Sequence, residues 1–259
     1  MINTINEDKE SNFLIICDHA SNRIPSEYKR LGLNEELLAT HIAYDIGVKE
    51  TATYLAKQLE CPLVMSDFSR LLIDANRGID DPTLIMKISD GEIIKGNKSI
   101  SFLINCSEKK HRIETYYNAY HNKISDIIDR SLKKNIFPAI ISIHSFTPFF
   151  GQNKRSTELG ILWDSDNRLP DIFFSYLNKN YKHLNIGNNK PYTGRMKNDT
   201  LYRHGTKQGL ANILIEIRQD LIIDSAKQKE FSKIIAKPLL ENKSNDHLFT
   251  KKFFKSLAK

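Results

Sequence analysis

Apolar residues in this chain gather into short runs separated by longer amphipathic stretches. Phe13-Leu14-Ile15-Ile16-Cys17, Leu63-Val64-Met65, Ala139-Ile140-Ile141-Ser142-Ile143, Leu159-Gly160-Ile161-Leu162-Trp163 and Ala211-Asn212-Ile213-Leu214-Ile215 are too short for helices and rich in β-branched residues. Such runs read as strands covered on both faces. Between them the apolar spacing turns helical. Asn34, a capping residue followed by Glu, opens an amphipathic pattern through His41 and Asp45 to Leu59, and on one helix residues four apart share a face. Residues 107–134 carry Ile113, Tyr116, Tyr117, Tyr120, Ile124, Ile127 and Ile128 at helical spacing, with His121 beside them as a packing residue. Leu169 to Leu177 and the segment from Asp224 onward read as helices, and Leu201 to His204 as a turn or short helix. Residues 78–106 read as a loop-rich excursion with small strands or turns at most, and the polar stretch Gly151 to Thr157 and Asn185 to Asp199 as loops, the last one able to reach over a pocket. The polar N-terminus before Phe13 predicts no element. Strands alternating with helices point to an α/β fold. With no repeat or linker in view, one domain is expected over 1–259, with its core at about 13–225 and a Lys-rich tail, helical or frayed, from about 242.

The strands end in an unusual way. Phe13–Cys17 runs straight into Asp18-His19, the central run into His144-Ser145, and the last one holds Glu216. Open α/β sheets keep their chemistry just beyond the carboxyl ends of such strands. Taken alone, His144 reads more readily as a core histidine held by a hydrogen bond, and Glu216 as the ion-pair partner of Arg218, two residues on along the same strand. Three ionisable strand ends together read differently. If the strands are parallel neighbours, His19, His144 and Glu216 converge at one edge, where charge is costly unless something pairs with it. Imidazoles and a carboxylate suit Zn²⁺ with a position left for water, and a further carboxylate then serves as base toward that water.

Composition narrows the partners. In 259 residues, a formal charge of +7 with scattered lysines describes an ordinary basic surface. Arginine–aromatic interleaving, zinc-finger spacing and basic helices are missing, so no nucleic-acid partner is expected. No run approaches the length that spans a bilayer, and the start lacks the apolar core of a signal peptide, so no membrane and a cytoplasmic location are expected. Cys17, Cys61 and Cys106 are an odd set without CxxC spacing, which reads as reduced thiols. Cys17, beside Asp18 at the end of an apolar strand, is a poor nucleophile. The sequence leaves the oligomeric state open.

Several motifs resemble the N-formylglutamate amidohydrolase family in content and order: Cys17-Asp18-His19-Ala20-Ser21-Asn22-Arg23-Ile24-Pro25, His41-Ile42-Ala43-Tyr44-Asp45-Ile46-Gly47, Ser69-Arg70-Leu71-Leu72-Ile73-Asp74-Ala75-Asn76-Arg77, Ser142-Ile143-His144-Ser145-Phe146-Thr147-Pro148 and Glu216-Ile217-Arg218-Gln219-Asp220. The resemblance covers about residues 13 to 225. It implies a three-layer α/β/α fold around a mixed, mostly parallel sheet, phosphorylase/hydrolase-like and related to zinc carboxypeptidases. It also implies zinc-dependent cleavage of a small acidic N-acyl amino acid, such as N-formyl-L-glutamate, to the acid and the free amino acid. Under it His19 and His144 are metal ligands and Glu216 activates water. Zinc carboxypeptidases carry Glu three residues after the first His, where this chain has Asn22, a poor zinc ligand. Asp45, on the face expected to carry His41, is therefore taken as the third ligand, and Asn22 as a supporting or substrate-contacting residue. Arg70, Asn76 and Arg77 resemble the group that grips a substrate carboxylate and polarises the scissile carbonyl, a task suited to a permanently charged, bidentate guanidinium. Arg77 taken alone reads equally well as a solvent-facing arginine. Arg155, Arg195, His204 and Arg218 are further substrate-binding candidates. Two alternatives stay open: a metallo-carboxypeptidase or amidase on short peptides, and a metal-free binding protein of the same fold.

Overall fold

Burial decides which face of each strand carries chemistry. The computed structural model describes residues 2–100 and 106–258. Strands β1 (Ile2–Ile5) and β2 (Phe13–Cys17) come first, followed by helices α1 (Glu35–Leu38) and α2 (Val48–Leu59) and strand β3 (Leu63–Ser66). Strands β4 (Ile88–Ser89) and β5 (Glu92–Ile93) form a small hairpin. Then come α3 (Ser107–Arg112), a π-helical turn, α4 (Asn118–Lys133) and β6 (Ala139–Phe146). A second hairpin, β7 (Phe149–Phe150) with β8 (Asn153–Lys154), leads to β9 (Leu159–Leu162), α5 (Arg168–Asn180) and β10 (Ile186–Asn188). The chain continues through α6 (Thr200–His204), β11 (Asn212–Arg218) and α7 (Ser225–Glu241).

The central sheet runs in the order β1-β3-β2-β6-β11-β9-β10. β3, β2, β6 and β11 are mutually parallel, β1 and β9 run antiparallel to their inner neighbours, and β10 is parallel to β9. Successive strand residues point to opposite faces. Ile15, Ile141, Ile143, Ile213, Ile215 and Ile217 therefore pack with Leu55 of α2, Phe173 of α5 and Ile235 of α7. Leu14, Ile16, Ile140 and Leu214 pack on the other face against Tyr120, Ile124 and Ile128 of α4. Each such fully buried side chain contributes roughly 1.5–3 kcal/mol. Helices on both faces of a mixed, mostly parallel sheet make the three-layer α/β/α architecture. By the same parity, Asp18, Ser142, His144 and Glu216 continue the α4 face.

The structure departs from the sequence expectations in four places. The helix expected from Asn34 through Asp45 to Leu59 is broken into α1 and α2, with turns over residues 39–47. Gly47 takes a left-handed φ of +79° and a side chain there would meet the Ile222 carbonyl at 2.3 Å, while the Asp45 amide donates to the His19 carbonyl at 3.0 Å instead of to a helical partner. The polar N-terminus contains β1, because half-buried Ile2 and Ile5 suffice to add an edge strand to β3. Part of the loop expected over Gly151 to Thr157 belongs to the β7–β8 hairpin. The Lys-rich end is neither helical nor frayed: Leu248 is buried, Phe249 meets Phe13 edge-on at 5.3 Å, and the Leu257 amide donates to Asp164 at 2.7 Å.

Candidate active site

Strand register brings the ionisable strand ends together. β2 and β6 pair up to Ile16 and Ser142, and His144 lies directly opposite Glu216 across the β6–β11 ladder. Asp18 and His19 therefore leave β2 at the level where His144 leaves the sheet. Asp45 arrives from the loop after α1, held there by its backbone bond to His19.

Both imidazoles are buried and each is backed by a carboxylate. His19 Nε2 lies 2.7 Å from Asp74 Oδ1, and His144 Nε2 lies 3.0 Å from Asp18 Oδ2. Each ring turns its other nitrogen to one carboxylate: His144 Nδ1 is 2.9 Å and His19 Nδ1 is 3.4 Å from Asp45 Oδ2. The rings meet edge to face, with centroids 4.9 Å apart. Asp18 is anchored in turn by Ser142 Oγ at 3.2 Å and by Thr200 Oγ1 of α6 at 2.7 Å. Arg70 bridges the other two carboxylates, reaching Asp45 Oδ1 at 3.2 Å and Asp74 Oδ2 at 3.1 Å.

Burial opposes every charge here, and close pairing reverses its effect. Asp18 is burdened by desolvation, yet the hydrogen bond and charge of His144 bring it down to about 2. Asp45 and Asp74 are likewise desolvated, yet both are held well below the usual carboxylate range, chiefly by His19. Burial would lower His144, but its bonds to Asp18 and Asp45 outweigh that and raise it well above the usual imidazole value. Glu216 behaves in the opposite way. Burial pushes its carboxyl up to about 7, against the pull of His144, and its Oε2 is buried with no hydrogen-bond partner among the described residues.

This donor set fits a metal ion. One atom from each of His19, Asp45 and His144 lies within 4.8 Å of the others, and His19 Nδ1 is a buried polar atom with no hydrogen-bond partner among the described residues. An orphaned imidazole nitrogen facing a carboxylate and a second imidazole asks for a cation. Carboxylates behind both rings are the usual means of holding ligand histidines in one tautomer and orientation. Asp74 and Asp18 stand in that position behind His19 and His144. They went unassigned in the sequence, although each is an acidic residue in an apolar setting.

His19, Asp45, His144 and Glu216 line a cleft of about 540 Å³ together with Arg70, Asn76, Arg77, Arg155 and Asp199. Asn76 receives the Thr200 amide on its side-chain oxygen at 3.2 Å, and Arg77 donates to Thr83 and to the Asn76 carbonyl. Asp199 caps α6 by accepting from the Tyr202 amide, and burial pushes its carboxyl up to about 7. His41 also lines the cleft, but it points to Asp90 at 3.1 Å and shares no helix with Asp45. Four sequence candidates, Asn22, Arg195, His204 and Arg218, lie outside the lining. Asn22 spends its amide on the Leu38 carbonyl. His204 stacks on His121 with nitrogens 2.9 Å apart, a buried pair that desolvation keeps neutral. Arg218 bonds Asp220, Glu158 and the Arg155 carbonyl rather than Glu216. Arg195 is exposed. Cys17 is buried, and desolvation drives its thiol well above the usual range.

Gly160, opposite Glu216 on β9, lets the 190s loop pack closely against the strand. A Cβ there would stand 2.4 Å from the Lys190 carbonyl and 3.2 Å from Glu216 Cβ. Gly160→Ala is therefore expected to cost about 1–3 kcal/mol through backbone displacement, read as a lower urea midpoint. An unchanged midpoint would show that the 190s loop yields freely.

Comparison with known proteins agrees with this geometry. A family model described as N-formylglutamate amidohydrolase matches residues 11–223. A crystal structure of a gene product from Agrobacterium tumefaciens superposes with a TM-score of 0.88 at 30% identity, covering 95% of this chain and 96% of that one. The N-formylglutamate amidohydrolase from Ralstonia eutropha superposes with a TM-score of 0.64 at 16% identity over 95% of this chain and 98% of its own, a likeness of fold. No curated protein sequence matches significantly. With most of its length matched by the family model, the chain belongs to the N-formylglutamate amidohydrolase family and is a hydrolase of amide bonds.

Proposed function

We propose that this protein is a zinc-dependent amidohydrolase that cleaves a small N-formyl or short N-acyl amino acid, N-formyl-L-glutamate in the first instance, to formate and the free amino acid. The observation that carries the reading is the convergence of His19 Nδ1, His144 Nδ1 and Asp45 Oδ2 beside Glu216, whose buried Oε2 has no hydrogen-bond partner among the described residues. His19, Asp45 and His144 would hold the ion. Bound zinc would supply a Lewis acid for the acyl carbonyl and lower the pKa of a water.

The remaining chemistry belongs to side chains. Glu216 accepts the proton of the attacking water and returns it to the departing nitrogen. A carboxyl raised toward neutrality by burial suits a group that must both take and give a proton near pH 7. Arg70 keeps Asp45 and Asp74 charged and in place. Its side chain, 21% exposed, also lines the cleft, where positive charge favours the developing oxyanion. Arg77 and Asn76 receive the substrate's α-carboxylate. The hydrolysis balances as amide plus water giving acid plus amine.

A panel of N-formyl amino acids against short peptides, assayed with and without a chelator, tests this reading. Formate release that the chelator abolishes and zinc restores is the expected result. Cleavage of peptides alone would favour the carboxypeptidase reading, and turnover of neither class would favour a binding protein.

A further inference from the structure

Arg155 stands apart from the other arginines of the cleft. Arg70 is spent on Asp45 and Asp74, and Arg77 has Asp81 at 4.0 Å. Arg155 has no carboxylate partner among the described residues. It donates to Tyr192 Oη at 2.8 Å and lies within 5.1–5.5 Å of the ring centroids of Phe146, Phe150 and Tyr192. Three aromatic faces flank the guanidinium and leave its charge uncompensated.

Its backbone is equally well fixed. The Arg155 amide donates to the Pro148 carbonyl at 2.8 Å, and its own carbonyl accepts from Arg218 Nη1 at 3.2 Å. Arg218 is buried and is itself held by Asp220 and Glu158. So Arg218 acts as a positioning residue for Arg155. A rigid, pre-organised and unpaired guanidinium in a cleft is a receptor for a planar anion, since little ordering cost remains when the anion binds.

We propose that Arg155, clamped by Phe146, Phe150 and Tyr192 and positioned by Arg218, binds a second anionic group of the substrate, so that the site selects acyl amino acids with an acidic side chain. This rests on the amidohydrolase reading above. It goes beyond that reading by assigning the side-chain selection to one residue away from the reacting atoms.

The test compares N-formylglutamate with N-formylglutamine, which differ only in the distal charge. The wild type is expected to prefer the glutamate compound, and Arg155→Gln to collapse that preference by roughly 10- to 100-fold, the worth of one charged hydrogen-bonded pair, through KM rather than kcat. Arg155→Lys should restore part of it, and Arg218→Ala should lose part of it. Equal slowing of both substrates in Arg155→Gln, or a wild type that prefers an apolar N-formyl amino acid, would overturn the assignment. If the wild type hydrolyses neither compound, the amidohydrolase reading fails by itself. Calorimetric binding of N-acetylglutamate against N-acetylglutamine then still decides the role of Arg155: equal affinities in wild type and Arg155→Gln would refute it.

Discussion

Replacing Glu216 with glutamine lowers kcat for N-formyl amino acid hydrolysis by roughly 10²- to 10⁴-fold, the usual contribution of a positioned general acid–base group. The change is isosteric and removes only the ability to take and return a proton. Metal content, KM and melting temperature should stay close to wild type, because Oε2 has no hydrogen-bond partner to lose among the described residues. Glu216 projects from the centre of the sheet opposite His144, and Gly160 on its other side offers no side chain. A kcat within a factor of about 10 of wild type would remove Glu216 from the role, since that lies below the range for this chemistry.

His144→Ala acts on a different quantity. It strips Asp18 and Asp45 of a partner that lies 3.0 Å from one and 2.9 Å from the other, while both stay buried. Breaking a buried charge pair by removing one member costs about 3–5 kcal/mol. The same change deletes one of the three groups expected to hold the metal. Urea unfolding and metal analysis should therefore shift together, and activity should vanish. His144→Gln, which refills the volume, should fold better and still lose the metal. Combining His144→Ala with Asp18→Asn should regain part of the stability, since it removes one of the stranded charges. A stable His144→Ala protein with a full complement of zinc would contradict the ligand role.

The strands were legible because burial on both faces leaves an unmistakable run of β-branched residues, as in Ile140-Ile141-Ser142-Ile143. Their ionisable ends were legible for the same reason: His19, His144 and Glu216 interrupt an apolar pattern that does not otherwise tolerate charge. Asp45 is a different case. Sequence spacing put it on a helix face with His41, yet it stands in the site because its amide is tied to the His19 carbonyl in a turn. A bond between segments that far apart leaves no local trace. Asp18 and Asp74 were visible as acidic residues, but which imidazole each one backs depends on the strand order. Arg218 illustrates the limit of period-two reasoning. It follows Glu216 on the same face by parity, but at the strand end Asp220 and Glu158 capture it first.

The central claim concerns a metal held by residues from three separate segments of the chain. Anomalous diffraction from crystals of protein purified without chelators, recorded above and below the zinc edge, addresses it directly. One zinc per chain is expected, with a single strong peak bounded by His19 Nδ1, His144 Nδ1 and Asp45 Oδ2. A catalytically active crystal form with no peak between these atoms would contradict it.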